Sequence, residues 1–221
     1  MTYYKTLGDN GQACHGGTGW WALPCGTQPG AWMPRVESPV LCERGYHLCC
    51  REDLVRWLAP TIYEAEIAPE AMTIAGPTKV VTSGPVRLVR RLPGWNATTA
   101  RRFAADCAEH VLPIWDAAYP TDDRPRAAIA AARASARGEI GAQALAAAWD
   151  AAWDAVSVAA WAAGWATASN ATQAAARTAA WATASNATRA SARTAVWAAA
   201  WAAAWAWQTD RLFDYLDGRA T

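Results

Sequence analysis

The sequence predicts an α+β fold: a small mixed antiparallel N-terminal module followed by an all-α, Ala/Trp-rich helical bundle. Three observations predict it. Residues 1–95 hold most of the Gly and Pro, with short runs of alternating apolar and polar residues between them. From Gln143 to Leu216 the chain has no Pro and a single Gly, Gly164. Within that stretch Trp165-Ala-Thr-Ala-Ser-Asn-Ala-Thr recurs 16 residues later, from Trp181.

The elements follow in order. Thr2–Leu7 reads as a short strand, and Gly8–Gly11 as a turn. Residues 14–40 carry nine Gly and Pro and read as loop. A loop of this length in a compact domain is usually functional or tied down. Arg51–Leu58 reads as a short helix with Leu54, Trp57 and Leu58 on one side, ended by Pro60. Thr61–Ile67 alternates as a half-buried strand does; Lys79–Thr82 and Val86–Leu92 add two more around Ser83-Gly84-Pro85. Pro93-Gly94 marks a boundary, dividing the chain into 1–95 and 96–221.

Beyond it, Thr98 or Thr99 is expected to cap a helix reaching about Tyr119, with Phe103, Cys107, Val111 and Ile114 at helical spacing and a kink at Pro113. Pro120–Pro125 reads as a turn with Asp122 or Asp123 as N-cap, and the next helix runs to Arg137, with Gly138 at C′. Trp149, Trp153, Trp161, Trp165, Trp181, Trp197, Trp201 and Trp205 then lie on a four-residue grid. Such a stripe advances by about 40° per step around a helix, so one straight rod does not bury it against one neighbour. Breaks are expected at Ser169-Asn170 and Ser185-Asn186. With 15 Trp against 2 Phe, Trp must fill the core. Low charge and residual open Trp predict a homo-oligomer.

A net charge of +1 gives no basis for direct DNA or RNA readout. The most apolar run, residues 195–207, is 13 long, and a span needs about 20; no membrane span is expected. Met1-Thr-Tyr-Tyr-Lys-Thr lacks the apolar core of a signal peptide, so the expected location is cytoplasmic, with the six Cys reduced. The sequence contains no Gly-x-x-x-x-Gly-Lys-Ser/Thr, His-Glu-x-x-His or Gly-x-Ser-x-Gly, and only 3 His. A non-enzymatic role is expected.

Two sets of residues carry candidate chemistry. Cys42-Glu-Arg-Gly-Tyr-His47-Leu-Cys49, with Cys14 upstream, supplies thiolates and an imidazole, and Cys14, Cys42, His47 and Cys49 could hold zinc. Buried structural Cys and a hydrogen-bonded His47 are the competing reading. Arg101, Arg102, Asp106, His110, Arg124 and Arg126 could bind a small nucleotide-like ligand through its phosphate. A solvated face balanced by Asp106, Asp116, Asp122 and Asp123 is the alternative. Asp106 and His110 stand beside Cys107, but no oxyanion donor can be inferred, and no catalytic residue is assigned.

Tyr4-Lys5, Cys42, Gly45, Tyr46, His47 and Cys49 match a domain of unknown function in phage and bacterial proteins, which residues 3–92 resemble. That resemblance implies no catalytic role. Ala100-Arg-Arg-Phe-Ala-Ala-Asp-Cys-Ala-Glu-His110, Asp122-Asp-Arg-Pro-Arg126 and the tail Gln208–Leu216 resemble a family of immunity proteins of bacterial toxin systems, over residues 98–218. This resemblance implies binding of a partner protein. The expected function is thus a non-enzymatic binding protein of phage or bacterial conflict systems, immunity- or anti-defence-like. The alternatives are a small-ligand sponge using the Arg residues, and an enzyme with a cryptic site near His47.

Overall fold

The N-terminal module is built from six short strands. They are β1 (Tyr3–Leu7), β2 (Tyr46–Leu48), β3 (Thr61–Ile67), β4 (Thr73–Ala75), β5 (Val80–Thr82) and β6 (Val86–Arg91), with a 3-10 helix over Arg51–Trp57. The computed structural model describes residues 2–118, 120–141, 143, 144, 147 and 203–220. The Trp repeat and the breaks expected at Ser169-Asn170 and Ser185-Asn186 lie outside the described residues.

The strands form two three-stranded antiparallel sheets, ordered β1-β3-β6 and β2-β5-β4. The register of β1 on β3 sets Thr6 opposite Ile62 and Leu7 opposite Thr61. Thr61 is fully buried, and its hydroxyl donates to the Leu7 carbonyl at 3.0 Å. Leu7, Trp21, Leu48, Val80, Val86 and Leu88 form a core cluster drawn from both sheets. Arg87–Glu66 and Arg90–Glu64 ion pairs cross between β6 and β3 on the solvent side.

The long Gly/Pro loop is tied down. Gly30, Met33 and Val36 donate backbone hydrogen bonds to Leu88, Val86 and Ser83 at 2.8, 2.8 and 2.7 Å. These bonds run along β6 and cover the free edge of its sheet. The segment read as an ordinary helix is instead 3-10. Cys49, just before it, exchanges two backbone hydrogen bonds with Tyr4, at 2.9 and 3.0 Å, and Pro60 follows. A 3-10 helix rises about 2.0 Å per residue against about 1.5 Å for an α-helix, so the same seven residues span more length between these two ends. β4 is a strand that the sequence pattern did not signal: all three of its residues are exposed.

Two helices follow, α1 (Ala97–Ala118), with Pro113 inside it, and α2 (Arg124–Ala136). The expected cap at Thr98 or Thr99 is corrected: the helix already begins at Ala97, behind Asn96, itself a residue type that favours helix starts. At α2, Asp123 occupies the cap position without a side-chain bond, while the Asp122 carboxylate accepts the Arg124 N–H at 3.1 Å. α2 ends as expected at Gly138. With φ of +77° it allows Gly138 N–H to reach Ser135 O at 3.1 Å and Glu139 N–H to reach Ala134 O at 3.0 Å, the paired closure that favours glycine at C′. Residues 203–216 are helical as well. No helix among the described residues is long and apolar enough to cross a membrane.

The chain divides into two compact units: Met1–Ala97 together with Gln208–Thr221, and Thr98–Trp207. The last residues therefore belong with the N-terminal module, where composition had grouped them with the helices. Leu212, Phe213, Tyr215 and Leu216 are all buried. The Phe213 ring meets Tyr4 edge-on at 5.5 Å, the Arg51 guanidinium lies 3.7 Å from the ring centre, and Arg51 also pairs with Asp210 at 3.2 Å. Gly94 makes this docking possible, because a Cβ there would stand 2.3 Å from Tyr215 O and 2.7 Å from Leu216 O.

Phe213→Ala should therefore cost about 3–5 kcal/mol in chemical denaturation. Gly94→Ala should cost about 1–3 kcal/mol by forcing backbone apart. Loss of less than about 0.5 kcal/mol in both would contradict the docked tail.

Candidate functional site

In the helical unit, α1 and α2 pack antiparallel through Ala105, Leu112, Ile129 and Ala132. Ion pairs also join the two helices. Arg133 reaches Asp106 at 3.0 Å and also Glu109, while Arg126 pairs with Asp116. Asp106 is buried, so its bond to Arg133 is the member of the set least screened by water. Arg124 grips Asp122 with two hydrogen bonds, at 2.8 and 2.7 Å, and holds its carboxyl below the usual carboxylate range.

The six residues expected to form a ligand site thus go to different tasks. Asp106, Arg124 and Arg126 are engaged by carboxylate–guanidinium pairs within the unit. His110 stacks on Trp207, with ring centroids 3.8 Å apart and planes 10° from parallel. Arg101 is exposed and Arg102 half-buried, and neither makes an ion pair with a described residue.

In the N-terminal module a cavity of about 280 Å³ opens between β1, β2 and the loop around residues 13–21. Lys5, His15, His47 and Lys79 line it together with Trp20, Trp21, Tyr46 and Trp57. Lys5 Nζ donates to the His47 carbonyl at 3.0 Å and lies 5.1 Å from the Trp21 ring centre. Burial pulls the Lys5 amine down to about 8, with Lys79 adding in the same direction. Lys79 Nζ lies 4.5 Å over Trp57, whose indole N–H donates to Thr78 O at 2.9 Å. His15 meets the same indole edge-on at 5.5 Å, its Nε2 3.0 Å from Trp57 O.

The expected zinc ligands do not assemble. Among the described residues no three His, Cys, Asp or Glu side chains converge to hold a metal ion. The reason is local. His47 Nε2 accepts the Cys42 backbone N–H at 2.8 Å, which occupies the lone pair a metal would need. Burial, followed by Lys79 and Lys5, keeps His47 below the usual imidazole range. The buried Cys49 thiol points to Tyr4 O at 3.6 Å, and burial pushes it up to about 12. Cys14 is exposed and lies 4.0 Å from Thr6 O.

Sequence reasoning reached only the His47 side of this cavity, because its walls come from six separate stretches. The available signals were Lys5 in the middle of a strand otherwise poor in charge, and the Trp20-Trp21 pair inside a Gly-rich loop.

Among its described residues the second unit is an Ala-rich pair of helices joined by ion pairs. Residues 96–210, just over half of the chain, match the family described as "Imm-5 like putative immunity protein". The chain belongs to that family. No curated protein and no solved structure matches it.

Two outcomes follow. Asp106→Ala should destabilise the helical unit by about 1–3 kcal/mol, since it strips a buried partner from Arg133. Glu109→Ala, at an exposed pair, should cost about 0–1 kcal/mol. Equal costs in thermal denaturation would contradict the ranking. For Lys5, the folded amine titrates near 8 and the unfolded one near 10.5, so the unfolded state holds more protons between these values. Wild-type stability measured against Lys5→Met should rise as pH goes from 8 to 10.5. A flat or falling difference in unfolding midpoint would show that the amine is not desolvated.

Proposed function

We propose that the protein is a non-enzymatic binding protein of immunity type that sequesters a partner protein, the toxin it neutralises, through its helical unit. The family match over residues 96–210 carries this reading. The geometry of the helical unit supports a protein partner over a phosphate-bearing ligand. Arg124, Arg126 and Arg133 are held by carboxylates of the same unit, and a phosphate would have to displace those partners. Arg101 and Arg102 are left as scattered cations on one helix, exposed and half-buried. Such an arrangement suits contacts at the rim of a protein interface, where charge steers association and selects the partner.

The test is co-expression of the full chain with candidate toxic proteins, each scored for growth and for a complex. The reading predicts restored growth and a stoichiometric complex on purification. It also predicts that Arg101→Ala/Arg102→Ala/Arg126→Ala still protects, with at most a modest loss of affinity. No protection and no complex would sink it. A nucleotide that co-purifies with the wild type and is lost in the triple variant would favour the ligand sponge instead.

A further inference from the structure

The N-terminal cavity lies outside the family-matched region and has no part in toxin capture as read above. Its walls carry two ammonium groups, Lys5 and Lys79, and neither is paired with a carboxylate among the described residues. Lys5, Lys79, His15 and His47 line it, and the one carboxylate among the lining residues is Glu43, which is exposed. An ammonium has three N–H donors. Lys5 directs one to the His47 carbonyl, and neither Lys5 nor Lys79 makes an ion pair with a described residue. Burial disfavours the charged form of Lys5 most, Cys14 and Cys49 favour it, and Lys79 disfavours it; both lysines disfavour the charged form of His47. A desolvated ammonium lacking an opposite charge is costly. An anion in the cavity would remove that cost.

The aromatic rings divide into two kinds. Trp21 is met by Lys5 and, edge-on at 5.3 Å, by Tyr46; Trp57 is met by Lys79 and His15. Trp20 also lines the cavity, yet it is 57% exposed and makes no ring contact with a described residue. A large indole left open at the mouth of a cationic cavity is a stacking platform for a planar group. The volume, about 280 Å³, falls just below the usual range for small-ligand pockets, roughly 300–1,000 Å³. That is room for one ring and one anionic group.

We propose that this cavity is a binding site for a small organic anion of mononucleotide size, with its anionic group against Lys5 and Lys79 and its aromatic ring on Trp20. The site would act independently of the helical unit. Anion binding would be strongest while Lys5 is charged, and so weaken as pH rises past about 8.

Isothermal titration of the full chain with adenosine 5′-monophosphate, inorganic phosphate and adenosine tests it. Adenosine monophosphate should bind at one site, with phosphate and adenosine each at least about ten-fold weaker, because each offers half of the contacts. Lys5→Met should weaken the nucleotide at least about ten-fold with the circular-dichroism spectrum retained, and Trp20→Ala about five-fold or more. Should Lys5→Met fail to fold, Lys79→Met and the exposed Trp20→Ala carry the test. The proposal is overturned by no binding of the nucleotide, or by phosphate binding as tightly as the nucleotide. Affinity indifferent to the Lys and Trp20 variants would overturn it too. So would binding lost in Arg101→Ala/Arg102→Ala/Arg126→Ala but kept in Lys5→Met.

Discussion

The docking of Phe213 against the Tyr4 ring and the Arg51 guanidinium is the contact on which the organisation of the chain depends. It joins the first strand, the 3-10 helix and the C-terminal helical segment in one compact unit. Leu212, Tyr215 and Leu216 are buried beside it, each worth about 1.5–3 kcal/mol for the water it sheds. The helical unit is consequently an insertion in the sequence of the N-terminal module: the chain leaves that module at Ala97 and returns to it at Gln208. The family match, ending at residue 210, covers the insertion and little of its surroundings.

This organisation separates two kinds of chemistry. Among the described residues of the helical unit, Arg124, Arg126 and Arg133 are each paired with a carboxylate of the same unit. In the N-terminal module the opposite holds. Lys5 and Lys79 face aromatic rings in place of carboxylates, and His47 is held by backbone alone through Cys42 and Gly45.

Local pattern carried much of the fold. β3 and β6 were legible because their residues alternate, and the end of α2 because Gly138 stands where only a positive φ completes the closure. β4 was not legible, since three exposed residues at a sheet edge carry no periodicity. The tail Leu212–Leu216 was legible as helix, but helical spacing says nothing about which surface it covers. The Cys42–Cys49 motif pointed to zinc because the same residue types serve metals and structural bonds. What separates the two is the Cys42 N–H on His47 Nε2, a backbone detail that spacing does not encode. The rest of the cavity escaped notice because its cations and rings converge only after the sheets have formed.

Hydrogen exchange in the full-length protein tests the central claim, that the C-terminal segment is an integral part of the N-terminal module. The account predicts that amides of residues 212–217 are protected to the same degree as those of β1 and β3, and that Phe213→Ala lowers protection in all three together. Fast exchange at 212–217 beside well-protected β1 and β3 would contradict it.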